Sequence, residues 1–145
     1  MPNTGPFLKT AVFCDSVIEG KDGVLSIIRI VDRLSVTAAG AEAPADMPAM
    51  DHTLTLVLML ISGTARGSSD VGVSVEQPGG LRRQVWNATV LMEGNDRGAN
   101  IVAQINMKFE SEGLYWFHVQ LDGEHLTSLP FRMIYQRVVP GRPSP

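Results

Sequence analysis

Cysteine is all but missing, since Cys14 is the only one in 145 residues. No internal disulfide can form and a thiolate metal centre would lack ligands, so the chain is expected in a reducing compartment, the cytoplasm. Histidine is scarce too. His52, His118 and His125 are the full complement, too few and too scattered to spell a metal set. Basic residues hold no surplus either: 12 Lys and Arg against 15 Asp and Glu give a net charge of −3 and a pI near 5.5. That leaves no positive field for a phosphate backbone, and nucleic acid is not an expected partner. The adjacent pair Arg82-Arg83 reads as a solvated strand start. Long apolar runs are absent. The most apolar stretch, Leu54 to Ile61, falls far short of the ~20 residues that cross a bilayer, so no membrane association is expected. The opening MPNTGPFLKT has no basic region leading into an apolar core and does not read as a secretion signal.

What the chain does have is alternation. A hydrophobic share of 44% and a charged share of 19% suit a globular protein, and the length suits one domain that buries roughly two thirds of its unfolded surface. Phe7 to Ile18 alternates, ends at Glu19-Gly20-Lys21-Asp22-Gly23, and pairs as a hairpin with the β-branched run Val24 to Val31. That second run is apolar on both faces, so its outer face needs a cover: the segment that follows, or a second copy of the protein. Thr37 to Met50 is rich in Ala and Pro and reads as a long surface connection. Further strands run from His52 to Ser62, Val71 to Glu76, Arg82 to Met92 and Asn100 to Glu110. Glycine-containing breaks at Gly63–Ser69, Pro78–Gly80 and Gly94–Asp96 separate them.

The last 25 residues of regular pattern, Ser111 to Tyr135, organise the rest. Tyr115, Phe117, Val119 and Leu121 alternate with Trp116, His118 and Gln120, Asp122-Gly123 supplies a turn, and Leu129, Phe131 and Met133 return. A two-residue loop pairs Leu121 with Glu124 and sets odd positions against even, which would aim the returning apolar side chains outward. The pattern therefore predicts a three-residue loop of Leu121, Asp122 and Gly123, with Gly123 left-handed, or else a bulge near Pro130. In the three-residue register His118 and His125 lie on opposite faces; in the two-residue register they are diagonal neighbours on one face. About eight strands with no convincing helix give the fold class: all-β, an antiparallel β-sandwich. The domain is expected over 7–136, flanked by a loose start over 1–6 and a Pro-rich tail over 137–145.

No reaction is legible in these residues. Cys14 lies mid-strand among apolar neighbours and reads as a buried, inert thiol. Gly63 to Asp70 lacks the Lys and spacing of a phosphate loop, and Gly94 to Asn100 lacks calcium-loop spacing. Asn87-Ala88-Thr89 matches a glycosylation acceptor inside a strand, where it reads as chance. Trp86 and Trp116 could stack a ring, and Trp116 with His118 and nearby loops is the one place where a small ligand such as a carbohydrate, or an enzymatic site, could be built. No catalytic residue, metal ligand or cofactor-binding residue is assigned, and no cofactor is expected.

Two resemblances bear on the architecture. Gly113, Tyr115 and Phe117 are spaced like the tyrosine corner of immunoglobulin-like domains, with Phe117 where an antibody domain has its disulfide cysteine. Phe13-Cys14-Asp15, the run Asp22 to Ser26, and the closing Tyr115-Trp116-Phe117-His118-Val119 with Leu129-Pro130-Phe131-Arg132 resemble a family of small bacterial proteins of unknown function. The resemblance spans most of Phe7 to Tyr135. It implies a compact immunoglobulin-like β-sandwich with no established activity and carries over no site residues. The expected role is a non-catalytic interaction or structural module, acting as a homodimer or with a protein partner.

Overall fold

The computed structural model describes residues 5–138, all strand and connection. Seven strands follow in order: β1 (Phe7–Glu19), β2 (Leu25–Val31), β3 (Arg33–Ala39), β4 (Met50–Glu76), β5 (Arg82–Phe109), β6 (Gly113–Leu121) and β7 (Glu124–Val138). β4 and β5 stay paired along nearly their whole length and belong to both layers. Their Met50–Ile61 and Gly98–Phe109 halves complete a layer with β1 and β2, while the remaining halves complete a second layer with β6, β7 and β3.

The layers face each other across one dry interior. Phe13 of β1 meets Phe117 of β6 and Phe131 of β7 edge-on, with ring centroids 5.0 and 5.4 Å apart, and Phe109 of β5 meets Tyr115 at 4.9 Å. Such pairs contribute about 0.5–1.5 kcal/mol each beyond the area they bury. Leu54, Leu56, Leu58 and Leu60 from one layer, and Val71, Val73 and Val75 from the other, fill the space between the rings. The Tyr115 hydroxyl donates to the Ser111 carbonyl at 2.7 Å, the tyrosine-corner bond. The all-β sandwich read from alternation, immunoglobulin-like as the resemblances imply, is the observed class.

Four details differ from the sequence reading. Seven strands form rather than about eight, because the breaks at Gly63–Ser69 and Gly94–Asp96 bend the two long strands from layer to layer instead of reversing them. At the bend Gly94 and Asn95 adopt φ of 87° and 58°, and the β4–β5 register shifts between Ile61 and Arg66. Arg33–Ala39 forms an extra strand, and it pairs parallel to β7, so the sandwich is not wholly antiparallel. The connection then shrinks to 40–49, pinned by burial of Ala43 and Met47 and by the Tyr135 hydroxyl donating to the Pro44 carbonyl at 2.7 Å. The closing turn has two residues, Asp122 and Gly123 at φ 50° and 82°, with Leu121 opposite Glu124.

The register problem this turn creates is solved further along. Gln120 pairs with His125 but Val119 pairs with Thr127, so Leu126 is an extra residue in β7. That bulge restores odd to odd and sends Phe131 and Met133 inward with Tyr115 and Phe117. β7 continues through Val138, opposite Ala39. The expected loose start and tail lie mostly outside the described residues.

Candidate functional site

The outer face of the first layer carries no charge across the middle of its four strands, between the β1 bulge at Lys9 and the pair Asp51–Lys108. Period-2 geometry puts Thr10, Val12, Cys14, Ser16 and Ile18 of β1 on that face, with Ser26, Ile28 and Ile30 of β2 beside them. Thr53, Thr55, Val57, Met59 and Ile61 of β4 share the face, as do Asn100, Val102, Gln104 and Asn106 of β5. Asp51 and Lys108, opposite each other, mark its end. Cys14 and Val57 are buried here without joining the interior cluster, while Ile18, Ile30 and Val102 remain 57%, 64% and 41% exposed. The polar members satisfy one another: the Thr53 hydroxyl donates to Asn106 Oδ1 at 2.9 Å and the Thr55 hydroxyl to Gln104 Oε1 at 3.2 Å. Burial, and secondarily the neighbouring Asp15 carboxylate, pushes the Cys14 thiol above its ordinary range. β3, which follows β2, joins the opposite layer, so the expected cover from the following segment is not there.

The outer face of the second layer is polar and holds the residues singled out for ligand binding. Because the turn has two residues and the bulge at Leu126 comes after His125, both histidines lie on this face, as the two-residue register requires and against the separation that the three-residue one predicts. Ser128 Oγ sits 2.7 Å from His118 Nδ1 and 2.7 Å from His125 Nε2. His118 Nε2 is buried, lacks a hydrogen-bond partner among the described residues, and lies 3.7 Å from Glu76 Oε1, which also accepts a bond from Arg82 Nε at 2.9 Å. A proton on His118 Nε2 faces that carboxylate favourably. Nδ1 then accepts from the Ser128 hydroxyl, and His125 Nε2 donates to Ser128 Oγ. The hydroxyl is engaged on both sides, which suits a structural clasp across the hairpin better than a free nucleophile.

Trp116 and Trp86 do not form one platform. Trp116 lies on the outer face between Glu76 and Pro130, whereas Trp86 pairs with inward Val73 and packs on the interior. A depression of about 540 Å³ does open on the polar face around Gly72, flanked by Gln84, Asn87 and Gln120. A Cβ at Gly72 would sit 3.4 Å from both Gln84 Nε2 and Gln120 Oε1. Here Thr89 donates to Asp70 Oδ1 at 3.0 Å. Its amides are common residues that do not stand out in the sequence; the one signal there is a glycine in mid-strand, which often marks close approach by a ligand. His52 is exposed at its strand start, as expected, and Arg82-Arg83 is solvated.

A family model described as a family of unknown function (DUF6941) matches residues 9–134. No curated protein matches the sequence. Among solved structures, the CARDB domain of the PF1109 protein in complex with di-metal ions from Pyrococcus furiosus is 14% identical, with 89% of each chain covered and a TM-score of 0.47. The Pseudomonas fluorescens alkylpurine DNA glycosylase AlkC, bound to DNA containing an abasic site analog, is 12% identical over 68% of this chain and 27% of that one, with a TM-score of 0.40. Neither likeness carries an argument about ligands.

Proposed function

The chain belongs to the DUF6941 family, whose description assigns no activity, and from that premise we propose that it is a non-catalytic interaction module of the bacterial cytoplasm that pairs with a second copy of itself. The observation that carries this reading is the uncharged outer face of β2, β1, β4 and β5, with Ile18, Ile30 and Val102 exposed. Charged residues are depleted where interfaces bury their centre, and an uncharged face has nothing to repel its own image about a two-fold axis. Four strands at about 4.8 Å spacing and six or so residues of length make a contact about 20 Å on a side, at the small end for specific association. The dimer therefore dissociates on dilution. Light scattering coupled to size exclusion, run from micromolar to millimolar protein, is expected to move from monomer to dimer mass. A monomer throughout, or a dimer untouched by charge placed on this face, removes the reading.

The Gly72 depression favours a second reading, a binding site for a neutral polyhydroxylated ligand, because three primary amides and a carboxylate converge there without a cation. Gly72→Val fills the floor with a good strand former. Titration of neutral oligosaccharides watched by amide chemical shifts is expected to move resonances around Gly72 in the wild type and not in the variant; no shifts in either dismisses it.

A further inference from the structure

The two layers are covalently continuous along one flank through β4 and β5, and on the other flank they end in edge strands, β2 and β3. Between those edges lies a cleft of about 700 Å³. Its floor is apolar: Leu54 and Phe131 are buried, and Val31 and Leu34 pack against the interior. Its rim carries Arg29, Arg33 and His52, with Asp15 among them. An apolar floor with a few convergent polar groups, at this volume, has the make-up of a small-molecule site.

Arg29 is the telling residue. In the middle of β2 it adopts φ 57°, a left-handed conformation that crowds any residue bearing a Cβ. Its local compensation is an ion pair with Asp15, Nη1 to Oδ2 at 2.6 Å, between side chains 73% and 45% exposed. Exposed pairs contribute little to stability, so this one does not offset the backbone strain. Strain of this kind persists where it places a group for use. The conformation sets a guanidinium at the mouth of the cleft, with one nitrogen on Asp15 and the remaining donors uncommitted by any bond to a described side chain.

We propose that this cleft binds a small organic carboxylate whose ring or branched chain lies on Val31, Leu34, Leu54 and Phe131 and whose acid group is held by Arg29. A guanidinium fork matches a carboxylate in two parallel hydrogen bonds, and His52 adds a donor on the same rim, where Arg33 contributes positive charge while its Nε and Nη2 are held by Asp32 at 2.9 and 3.4 Å. Asp15 competes with the ligand for Arg29 and sets how tightly it is held. The site lies on the flank between the layers and borders the self-association face proposed above, sharing Cys14 and Thr53 with it.

Calorimetric titration of the full chain with phenylacetate, indole-3-acetate and octanoate, each beside its neutral amide, tests the assignment. At least one acid is expected to saturate, with its amide weaker by about tenfold or more, the scale of a lost charge-assisted hydrogen bond. Arg29→Gly is expected to lose that binding while its thermal midpoint holds or rises, because glycine has no Cβ to strain. Arg29→Asn, which also tolerates the left-handed region, should lose binding in the same way. Asp15→Asn is expected to tighten the acid several-fold. The proposal is overturned if no acid saturates, if amides bind as well as acids, or if both Arg29 variants bind like the wild type.

Discussion

Cys14 shows how one residue's setting becomes a measurable dependence. Its thiol is buried on the outer face of β1, and burial, with Asp15 beside it, raises its pKa. The unfolded chain then ionises first, so as pH climbs through the ordinary thiol range near 8.5 the unfolded state sheds a proton that the native state keeps. This contribution is intact below that range and declines toward the folded value. Urea midpoints at pH 7 and pH 10 are expected to fall further for the wild type than for Cys14→Ala; parallel declines would show that the thiol is not the cause. That Cys14 is buried was legible in its apolar neighbours, while its outward face was not. Alternation assigns residues to two sides without saying which is dry, and here both are dry at Cys14 and Val57.

At the scale of elements, the closing hairpin was the most legible piece, and its single irregularity was misplaced. Odd positions share the interior as expected, because Tyr115, Phe117, Phe131 and Met133 could not all be buried otherwise. Placement of the extra residue at Leu126 depends on which point of the strand bends most easily, and composition does not carry that. The consequence is specific. Deleting Leu126 leaves every other pair of β6 and β7 as it is and costs about 1–2 kcal/mol for a partly buried leucine. Deleting Leu126 and Thr127 together sends Phe131 and Met133 to the solvent side, and the chain should not fold. Urea unfolding followed by near-ultraviolet circular dichroism separates the two; equal losses would mean that Leu126 is not the register-setting bulge. Elsewhere, the glycine signals at Gly63 and Gly94 read in the sequence as breaks between strands, whereas in the structure they bend two strands that stay paired. Locally the two look alike, since both need φ above zero, and only the partner strand distinguishes them. Strand β3 was hidden differently. Leu34, Val36 and Ala38 do alternate, but the Ala- and Pro-rich run after them masked a strand whose partner, β7, lies about a hundred residues later and runs parallel.

For the whole molecule, the two outer faces divide polarity unequally, and the division was half visible beforehand. The apolar excess of β2 pointed to a missing cover, yet only the register of β1, β4 and β5 shows that the uncharged surface continues over four strands. The polar face opposite, with Glu76, His118 and Ser128 clasped across β4, β6 and β7, needs no cover. Ile30 is the place to separate folding from association, being 64% exposed on an edge strand. Lysine there meets water in the monomer, so its unfolding free energy should stay within about 0.5 kcal/mol of the wild type, as for most surface substitutions. In a dimer the same charge is buried against an apolar copy, at a cost of several kcal/mol. Ile30→Lys is therefore expected to stay monomeric at millimolar concentration with an unchanged denaturation midpoint measured at micromolar concentration. A variant that still dimerises would move the contact to another surface, and one that loses monomer stability would mean that Ile30 already belongs to the fold.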